Sequence, residues 1–332
     1  MDLDGKAVLV TGGTGSFGRK FVSTLLARHK PRKVAVFSRD ELKQSEMMET
    51  PEYAPRRGVQ YFIGDVREPD RLRTAFRGID VIVHAAALKQ VPACEYNPFE
   101  AIKTNVLGAQ NIITAAIEAG VARVVALSTD KAAGPVNLYG ATKLCSDKLF
   151  IAGNNMAGVA ETRFSVVRYG NVVGSRGSVI PYFQRQAREQ GRLTVTDSRM
   201  TRFSITLGEG VDFVLACLGR MTGGELFVPK IPSYRILDVA GAVAPGMPIE
   251  EIGIRPGEKL HESMITPDDA RDALEFTDHY LVQPTFGWWN REKCPGGRPC
   301  PEGFAYTSDK NGRWLTVDEL RALIERECPE KM

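Results

Sequence analysis

Tyr139 and Lys143 stand four residues apart, and this spacing brings both side chains to one face of a helix. A lysine ammonium beside a phenol lowers the pKa of the phenol from about 10, so a phenolate forms near neutral pH and accepts a hydroxyl proton. Thr129 precedes this pair, and Asp130 and Lys131 come directly after Thr129. Their carboxyl and amine groups provide a second potential acid and base. The five residues predict acid–base chemistry on a hydroxyl-bearing molecule.

A glycine-rich turn lies upstream of these residues. Gly12, Gly15 and Gly18 form a G-x-x-G-x-x-G pattern between an apolar run ending at Thr11 and a helical pattern starting at Ser16. Glycines at this place permit a tight turn and close approach of the backbone to a pyrophosphate, which the helix N-terminus then faces. The alternative is a turn that only packs. Because the pattern lies between a strand and a helix, we predict a dinucleotide site that also includes Thr14, Ser16 and Phe17.

The residues after the second predicted strand bear on the choice between NAD and NADP. An acidic residue here binds a ribose diol, whereas an arginine accommodates a 2′-phosphate. Asp40 and Arg39 are both present. We predict NADP because Ser38 and Arg39 come first and Lys43 follows; an ion pair of Arg39 with Asp40 or Glu41 is the alternative.

Two further strand ends complete the predicted cofactor site. Asp65 and Val66 follow the third strand, and Asp65 is expected to hydrogen-bond the adenine amino group. Ala85, Ala86 and Ala87 follow the fourth strand, where small side chains let the backbone lie against the cofactor.

The elements that position these residues alternate in type. Short apolar runs occur at 7–11, 33–37, 59–63, 81–85, 123–128 and 164–167, and helical patterns such as 16–28 and 98–119 separate them. Strands that alternate with helices in this way indicate parallel β-α-β units, and Val/Ile-rich runs fit a sheet covered on both faces. We predict an α/β protein with a doubly wound parallel (Rossmann) sheet.

From about Gly174 the alternation ends, and Gly, Pro and Arg become frequent. We predict a cofactor-binding domain over residues 1–173, with a return segment near 203–220, and a smaller, interleaved substrate-binding domain over 174–332. The stretch 273–302 is expected to be an irregular surface excursion. Thr316 is the predicted N-cap of a C-terminal helix.

Composition excludes several classes of protein. The 332 residues carry a net charge of +3 without a long basic block, so no nucleic-acid partner is expected. The absence of a long apolar run predicts no membrane span, and the acidic N-terminus is not a signal peptide. Six scattered cysteines favour the cytoplasm over a disulfide framework, and the Cys294–Cys300 spacing is not expected to bind a metal.

The Thr129, Tyr139 and Lys143 set behind the glycine-rich turn resembles the extended short-chain dehydrogenase/reductase superfamily. Within it, five segments are similar to the inverting UDP-N-acetylglucosamine 4,6-dehydratases, the first enzymes of pseudaminic acid biosynthesis for flagellin and surface glycans. These segments are 38–46, 128–133, 137–148, 167–177 and 254–262. The adjacent Asp130 and Lys131 are the sharpest feature, because retaining dehydratases of the superfamily have Asp-Glu there.

The resemblance implies a role for each matching residue. Tyr139 would take the C4 hydroxyl proton of the sugar, and Lys143 would tune Tyr139 and hold the nicotinamide ribose. Lys131 would be the base at C5 and Asp130 the acid at C6. Lys131 must be partly neutral for this, so we expect burial and Lys143 to lower its pKa. The residues implied for the UDP-sugar are Lys89, Asn171, Arg202, Arg255 and Glu258.

Some positions differ from the family pattern, and three rival functions stay open. Gln90, Gly134 and Ser204 replace an expected His, Asn and Trp, respectively. A 4-epimerase or reductase is the first rival, and it would leave Asp130 and Lys131 without a role. A dehydratase that acts on another nucleotide sugar or retains the configuration at C5 is the second, although the Asp-Lys pair argues against retention. A non-catalytic NADP-binding protein is the third. The family also implies a homo-oligomer, either a dimer or a larger ring.

Overall fold

A computed structural model describes residues 2–55, 58–158, 160–174, 178–289, 294 and 296–328. Residues 175–177 of the quoted segment 167–177, and residues 290–293 and 295 of the predicted excursion, lie outside this range. Within the described residues no helix is both long and apolar enough to cross a bilayer.

The helices and strands follow the alternation predicted for the first half of the chain. The strands are β1 (Ala7–Thr11), β2 (Lys33–Ser38), β3 (Val59–Ile63), β4 (Val81–His84), β5 (Arg123–Thr129), β6 (Arg163–Tyr169), β7 (Asn171–Val172), β8 (Leu193–Val195), β9 (Thr201–Ile205), β10 (Leu226–Pro229), β11 (Ser233–Arg235), β12 (Ile249–Glu251), β13 (Ser263–Ile265), β14 (Ala273–Glu275), β15 (His279–Val282), β16 (Arg298–Pro299) and β17 (Tyr306–Thr307). The α-helices are α1 (Ser16–Arg28), α2 (Glu41–Glu49), α3 (Pro69–Phe76), α4 (Val91–Tyr96), α5 (Pro98–Ile102), α6 (Gly108–Glu118), α7 (Leu138–Met156), α8 (Val179–Gln190), α9 (Leu207–Arg220), α10 (Ile236–Val243) and α11 (Val317–Glu327).

The main sheet has ten strands in the order β16-β14-β15-β10-β6-β5-β4-β1-β2-β3. Strands β1 to β6 and β10 pair in parallel, whereas β14, β15 and β16 add in antiparallel orientation. The predicted doubly wound parallel sheet is confirmed. Its strand order reverses between β1 and β4, and parallel α/β sheets open a crevice for ligands at such a point.

Two clusters of buried hydrophobic side chains fill the molecule. The larger one contains the inner strands and the helices that cover them, with Leu9, Val83 and Phe164 fully buried. The smaller one joins α8, α10 and α11 around Phe183, Val239 and Leu320. The division into domains at residue 173 stays a prediction. Of the predicted return segment, α9 packs against α1, whereas β9 pairs with β7 and β11 in a separate sheet.

The prediction for 273–302 is wrong for its first part. Strands β14 and β15 lie in the main sheet, and Tyr280 and Leu281 are buried. These strands are three and four residues long, so their sequences show too little periodicity to be recognised. Strand β15 pairs with the distant strand β10, and β14 joins the sheet by pairing with β15 and β16.

Two local predictions about helices meet different outcomes. Thr316 caps α11 in a reciprocal capping box with Glu319, as predicted. The helical stretch 98–119 is interrupted by one π-helical turn at Lys103–Leu107. Asn105 in this turn accepts a hydrogen bond from the Leu88 backbone N–H (2.8 Å) and donates one to the Leu88 carbonyl (2.8 Å). The turn thereby fixes the loop that follows β4.

Candidate active site

A cavity of about 630 Å³ lies along the carboxyl ends of the parallel strands. The residues predicted for the cofactor line it: Gly12, Thr14, Gly15, Ser16, Phe17, Gly18, Ser38, Arg39, Lys43, Asp65, Val66, Ala85, Ala86 and Ala87. The five predicted catalytic residues line the same cavity. The sheet therefore brings strand ends that are far apart in sequence to one site.

The glycine-rich turn is shaped for close approach of a ligand. Gly12 has φ +65°, and a Cβ at this position would lie 2.9 Å from the backbone nitrogen of Ala86. A Cβ on Gly18 would lie 2.5 Å from the Cα of Gly13. No side chain caps the N-terminus of α1, so its first N–H groups remain available for an anion at the cavity. These residues fit a nicotinamide dinucleotide, and the chain has the fold of proteins that bind one.

Two cationic side chains, Arg39 and Lys43, and two acidic ones, Asp40 and Asp65, line the part of the cavity beside β2 and β3. Arg39 is 58% exposed, and its guanidinium lies 3.8 Å from the Asp65 carboxylate. That carboxylate is already bound by Arg67 at 2.7 Å. Asp40 accepts from the Lys43 backbone N–H, which caps α2, and pairs with the Lys43 ammonium. Both carboxylates therefore have cationic partners, and Arg39 has only a long contact.

Tyr139 and Lys143 share one face of α7, as the spacing predicted. Asn137 caps this helix by accepting from the Gly140 backbone N–H at 2.8 Å. Burial raises the pKa of Tyr139 to about 12. The Lys131 charge and a hydrogen bond with Thr129 lower this pKa, but they do not outweigh burial. The tuning of Tyr139 by Lys143 stays a prediction, and Lys131 is the cation that acts most on the phenol in this structure.

A buried ionic network lies behind Lys143. Burial lowers the pKa of Lys143, and the carboxylate of Asp147 opposes this effect. Asp147 accepts hydrogen bonds from Ser128 (2.7 Å) and from the Arg168 guanidinium (3.2 Å). The network fixes α7 against β5 and β6, and thereby holds Lys143 in the cavity wall.

Asp130 is 1% exposed and sits in a 3₁₀ turn directly after β5. Its Oδ1 accepts from the Thr129 hydroxyl (2.9 Å) and from the Lys131 ammonium (3.0 Å), whereas its Oδ2 has no partner among the described residues. Burial raises the pKa of Asp130. A carboxyl group that favours its protonated form suits the role of an acid.

Lys131 does not behave as expected. Its Nζ lies 3.0 Å from Asp130 and 2.9 Å from the carboxylate of Glu262. Burial disfavours the charged amine, yet the two carboxylates outweigh burial and raise the pKa of Lys131. The prediction of a lowered pKa is therefore wrong, because Asp130 and Glu262, the latter from a distant segment of the chain, both lie at the amine.

The structure separates the residues predicted for the substrate into two groups. Lys89 and Asn171 line the cavity, and Oδ1 of Asn171 is buried without a partner in the described structure. Arg202, Arg255 and Glu258 do not line it. Arg202 donates to the carbonyls of Thr201 (2.7 Å) and Leu260 (3.0 Å), and Arg255 lies on an exposed turn where Glu258 accepts from its backbone N–H (3.4 Å).

Residues without a predicted role also belong to the site. Tyr169 and Thr104 line the cavity and are at least nine-tenths buried. Glu262 contacts Lys131 from behind. Tyr169 and Glu262 lie in the segments 167–177 and 254–262 that carry the family resemblance, which is the signal that could have drawn attention to them.

Comparison with known proteins agrees with this geometry. The model of the family described as "Polysaccharide biosynthesis protein" matches residues 8–284. The chain is 52% identical to a UDP-N-acetylglucosamine 4,6-dehydratase (inverting) of Campylobacter jejuni, over 97% of this chain and 98% of the relative. It is 42% identical to a UDP-glucose 4-epimerase of Rickettsia canadensis, over 96% of this chain and 95% of that protein.

A solved structure extends the likeness to three dimensions. The X-ray structure of Pen from Bacillus thuringiensis has a TM-score of 0.88 at 39% identity and covers 98% of this chain and 99% of its own. The family match spans the strand ends that line the cavity, and the relatives named above match almost end to end. The chain therefore belongs to the polysaccharide biosynthesis protein family, and its predicted resemblance to the inverting 4,6-dehydratases within that family is confirmed.

Proposed function

We propose that this protein is a UDP-N-acetylglucosamine 4,6-dehydratase that inverts the configuration at C5. The observation that carries the proposal is the position of Asp130 and Lys131 beside Tyr139 at the cavity. An oxidation or an epimerisation at C4 needs only the tyrosine and its lysine, whereas removal of water across C5 and C6 needs a further base and acid. The 52% identity over nearly the whole chain supports the same reaction.

The cofactor is a nicotinamide dinucleotide, and we propose NADP. Arg39 and Lys43 both line the cavity beside β2, where the 2′ position of a bound ribose lies in this fold. Asp40, the residue that would favour NAD, caps α2 and pairs with Lys43. A nicotinamide held by these residues would supply the hydride chemistry, which is oxidation of the sugar at C4 and reduction at C6.

The chain's own residues move the protons. Tyr139 accepts the C4 hydroxyl proton as C4 becomes a ketone, and the ketone acidifies the C5–H bond. Lys131 takes the C5 proton, and Asp130 donates a proton to the C6 hydroxyl, which leaves as water. A proton delivered to C5 from the opposite face gives the 4-keto-6-deoxy-L-arabino product.

Lys131 must lose a proton before it can act as a base. Asp130 is an acceptor at 3.0 Å, and its own buried position favours the protonated carboxyl. Transfer of one proton from Lys131 to Asp130 forms the amine base and the carboxylic acid together, without a net change in charge. This transfer requires the substrate to alter the environment of the pair, since the ammonium is the stable form without it.

Proton NMR of the protein with UDP-N-acetylglucosamine in deuterated water tests the proposal. The expected result is a new C6 methyl signal, deuterium at C5 and couplings of the L-arabino configuration. A methyl signal with the D-xylo configuration would retain the dehydratase but remove the proposed role of Lys131. No reaction on several nucleotide sugars, with cofactor still bound, would favour a non-catalytic NADP-binding protein.

The second candidate is a nucleotide-sugar 4-epimerase, and the 42% identity to a protein named UDP-glucose 4-epimerase favours it. The same experiment separates the two, since an epimerase yields a C4-inverted sugar that retains its C6 hydroxyl. A role in pseudaminic acid and flagellin glycan synthesis, a cytoplasmic location and a homo-oligomeric state stay predictions.

A further inference from the structure

Glu262 is a buried carboxylate without an assigned role. Its side chain is 3% exposed, and its Oε1 lies 2.9 Å from the Lys131 ammonium and 3.8 Å from Nε of Arg202. Its Oε2 has no partner among the described residues. Ser308 fixes the backbone of Glu262 through two hydrogen bonds. The Glu262 N–H donates to the Ser308 hydroxyl (2.9 Å), and the Glu262 carbonyl accepts from the Ser308 N–H (2.8 Å).

Burial of this carboxylate is not explained by folding alone. Buried ion pairs often add little to stability compared with well-packed apolar residues, because removing both charges from water is costly. An unpartnered buried oxygen adds to that cost. The position of Glu262 therefore points to a function at its partner, Lys131.

Several elements direct charged or titratable groups toward Lys131. They are the turn after β5, the N-terminus of α7, strands β9 and β11, and the loop before β13. The groups they contribute are Asp130, Tyr139, Arg202, Tyr234, Lys259 and Glu262. Among them, only Asp130 and Glu262 accept a hydrogen bond from Nζ in the described structure.

We propose that Glu262 is a positioning residue that fixes the amine of Lys131 and sets its charge for removal of the C5 proton. The inference rests on the proposed function in one respect, that Lys131 is the base. Glu262 and Asp130 each accept a hydrogen bond from Nζ, so two of its three donors are used by protein groups. The remaining direction is left for the substrate. Arg202, behind Glu262, balances the second carboxylate.

The substitution Glu262→Gln tests the charge while it keeps an oxygen acceptor. The rate at which C5 of the product acquires deuterium from solvent is measured by NMR over about pH 6 to 10. Loss of the carboxylate lowers the pKa of Lys131, so the rise of this rate with pH should move to lower pH by about one unit. The plateau rate should fall about tenfold, because the ion pair that holds the amine is replaced by a weaker hydrogen bond to a neutral amide oxygen. KM and the rate of nicotinamide reduction should change less than about threefold.

Two further variants separate positioning from a general loss of stability. Glu262→Asp keeps the negative charge, but its shorter side chain moves the carboxylate away from the Lys131 amine. The plateau rate should therefore fall, and the pH profile should shift less than in Glu262→Gln. Glu225→Gln is the matched control: Glu225 is a buried carboxylate that accepts from Ser165, Thr222 and Gly223 away from the cavity. It should lower the melting temperature and leave the pH profile in place.

Glu262→Gln with a wild-type profile and plateau would overturn the inference. The inference would also be overturned if Glu262→Gln lowered the plateau rate without shifting the pH profile, and lowered the melting temperature as much as the Glu225→Gln control does. The proposed function itself fails in a different way, since wild-type protein would then form no methyl product at all.

Discussion

Lys131 shows how strongly the charge of one side chain depends on its neighbours. A lysine beside an aspartate is a suitable acid–base pair, but a second carboxylate from a distant segment stabilises the ammonium. Tyr139 also favours its protonated form, but for a different reason, because burial stabilises its neutral phenol. In the protein without ligands both groups therefore favour the protonation state that is inactive in the proposed reaction. We infer that binding of cofactor and substrate must supply the shift.

Replacing Lys131 by Ala should lower formation of the methyl product by a factor of about 10² to 10⁴, since the C5 proton loses its acceptor. Nicotinamide reduction should persist, although more slowly, because the Lys131 charge also favours the phenolate of Tyr139. NMR measures the product and absorbance measures the reduced nicotinamide. Lys148→Ala, an exposed change on α7, is the control. Normal product formation by the Lys131 variant would refute its role.

Replacing Arg39 by Ala should weaken NADP binding by roughly 10- to 100-fold, the effect of one charge-assisted hydrogen bond. NAD binding should change little, since NAD has no 2′-phosphate. Calorimetric titration of cofactor-depleted protein measures both affinities. Arg67→Ala is the matched control, because Arg67 binds the same Asp65 carboxylate but does not line the cavity. An equal loss for both nucleotides would contradict the predicted contact.

At the scale of elements, each proposed catalytic group lies at the end of a strand, in the turn after it, or in the first two turns of a helix. The turn after β1 and the loop after β4 approach each other so closely that Gly12 has no room for a side chain. The π-helical turn at Lys103–Leu107 supports the same loop through Asn105. The candidate cofactor site is therefore built by two connections that meet across neighbouring strands, rather than by the glycine pattern alone.

Gly12→Ala and Gly5→Ala form a matched pair for this idea. Both glycines have positive φ, so alanine should cost each variant about 1 to 2 kcal/mol of folding stability. A Cβ on Gly5 has no heavy atom within 4 Å, whereas one on Gly12 meets Ala86 at 2.9 Å. Only Gly12→Ala should therefore lose cofactor affinity, by at least tenfold. Denaturation and cofactor titration measure the two effects, and equal affinities would show that the close contact is unimportant.

At the scale of the molecule, the two hydrophobic clusters bury many polar groups as well as apolar ones. Several of these are tyrosines whose phenols stay neutral in the folded protein. Burial raises the pKa of Tyr234 to about 12, and that residue is 5% exposed. A phenol with a higher pKa in the folded state than in the unfolded state stabilises the fold below pH 10, and this contribution is lost as the pH rises to about 12.

The free energy of unfolding should therefore decrease less between about pH 10 and 12 in Tyr234→Phe than in wild type. The difference should be on the order of 2 to 3 kcal/mol. The free energy of unfolding in urea, measured at several alkaline pH values, gives this slope. Tyr96→Phe is the control, since Tyr96 is 88% exposed. Identical alkaline slopes for wild type and Tyr234→Phe would contradict burial of the neutral phenol.

Local sequence was sufficient for much of the fold and of the cofactor site. Strand, turn and helix follow each other around Gly12, and each is specified by residues within a few positions. The same holds for the common face of Tyr139 and Lys143 on α7 and for the capping box of α11. Short-range patterns predict such features because the hydrogen bonds that define them join near neighbours.

Long-range contacts decided the remainder. Strands β14 and β15 are defined by their place in the sheet, and their own sequences are too short to show it. Glu262 reaches Lys131 from another part of the chain and, together with Asp130, raises the pKa of Lys131 instead of lowering it. Arg202 faces Glu262 and two carbonyls instead of the cavity. Electrostatic effects depend on distance in space and on burial, and neither quantity is fixed by the spacing of residues along the sequence.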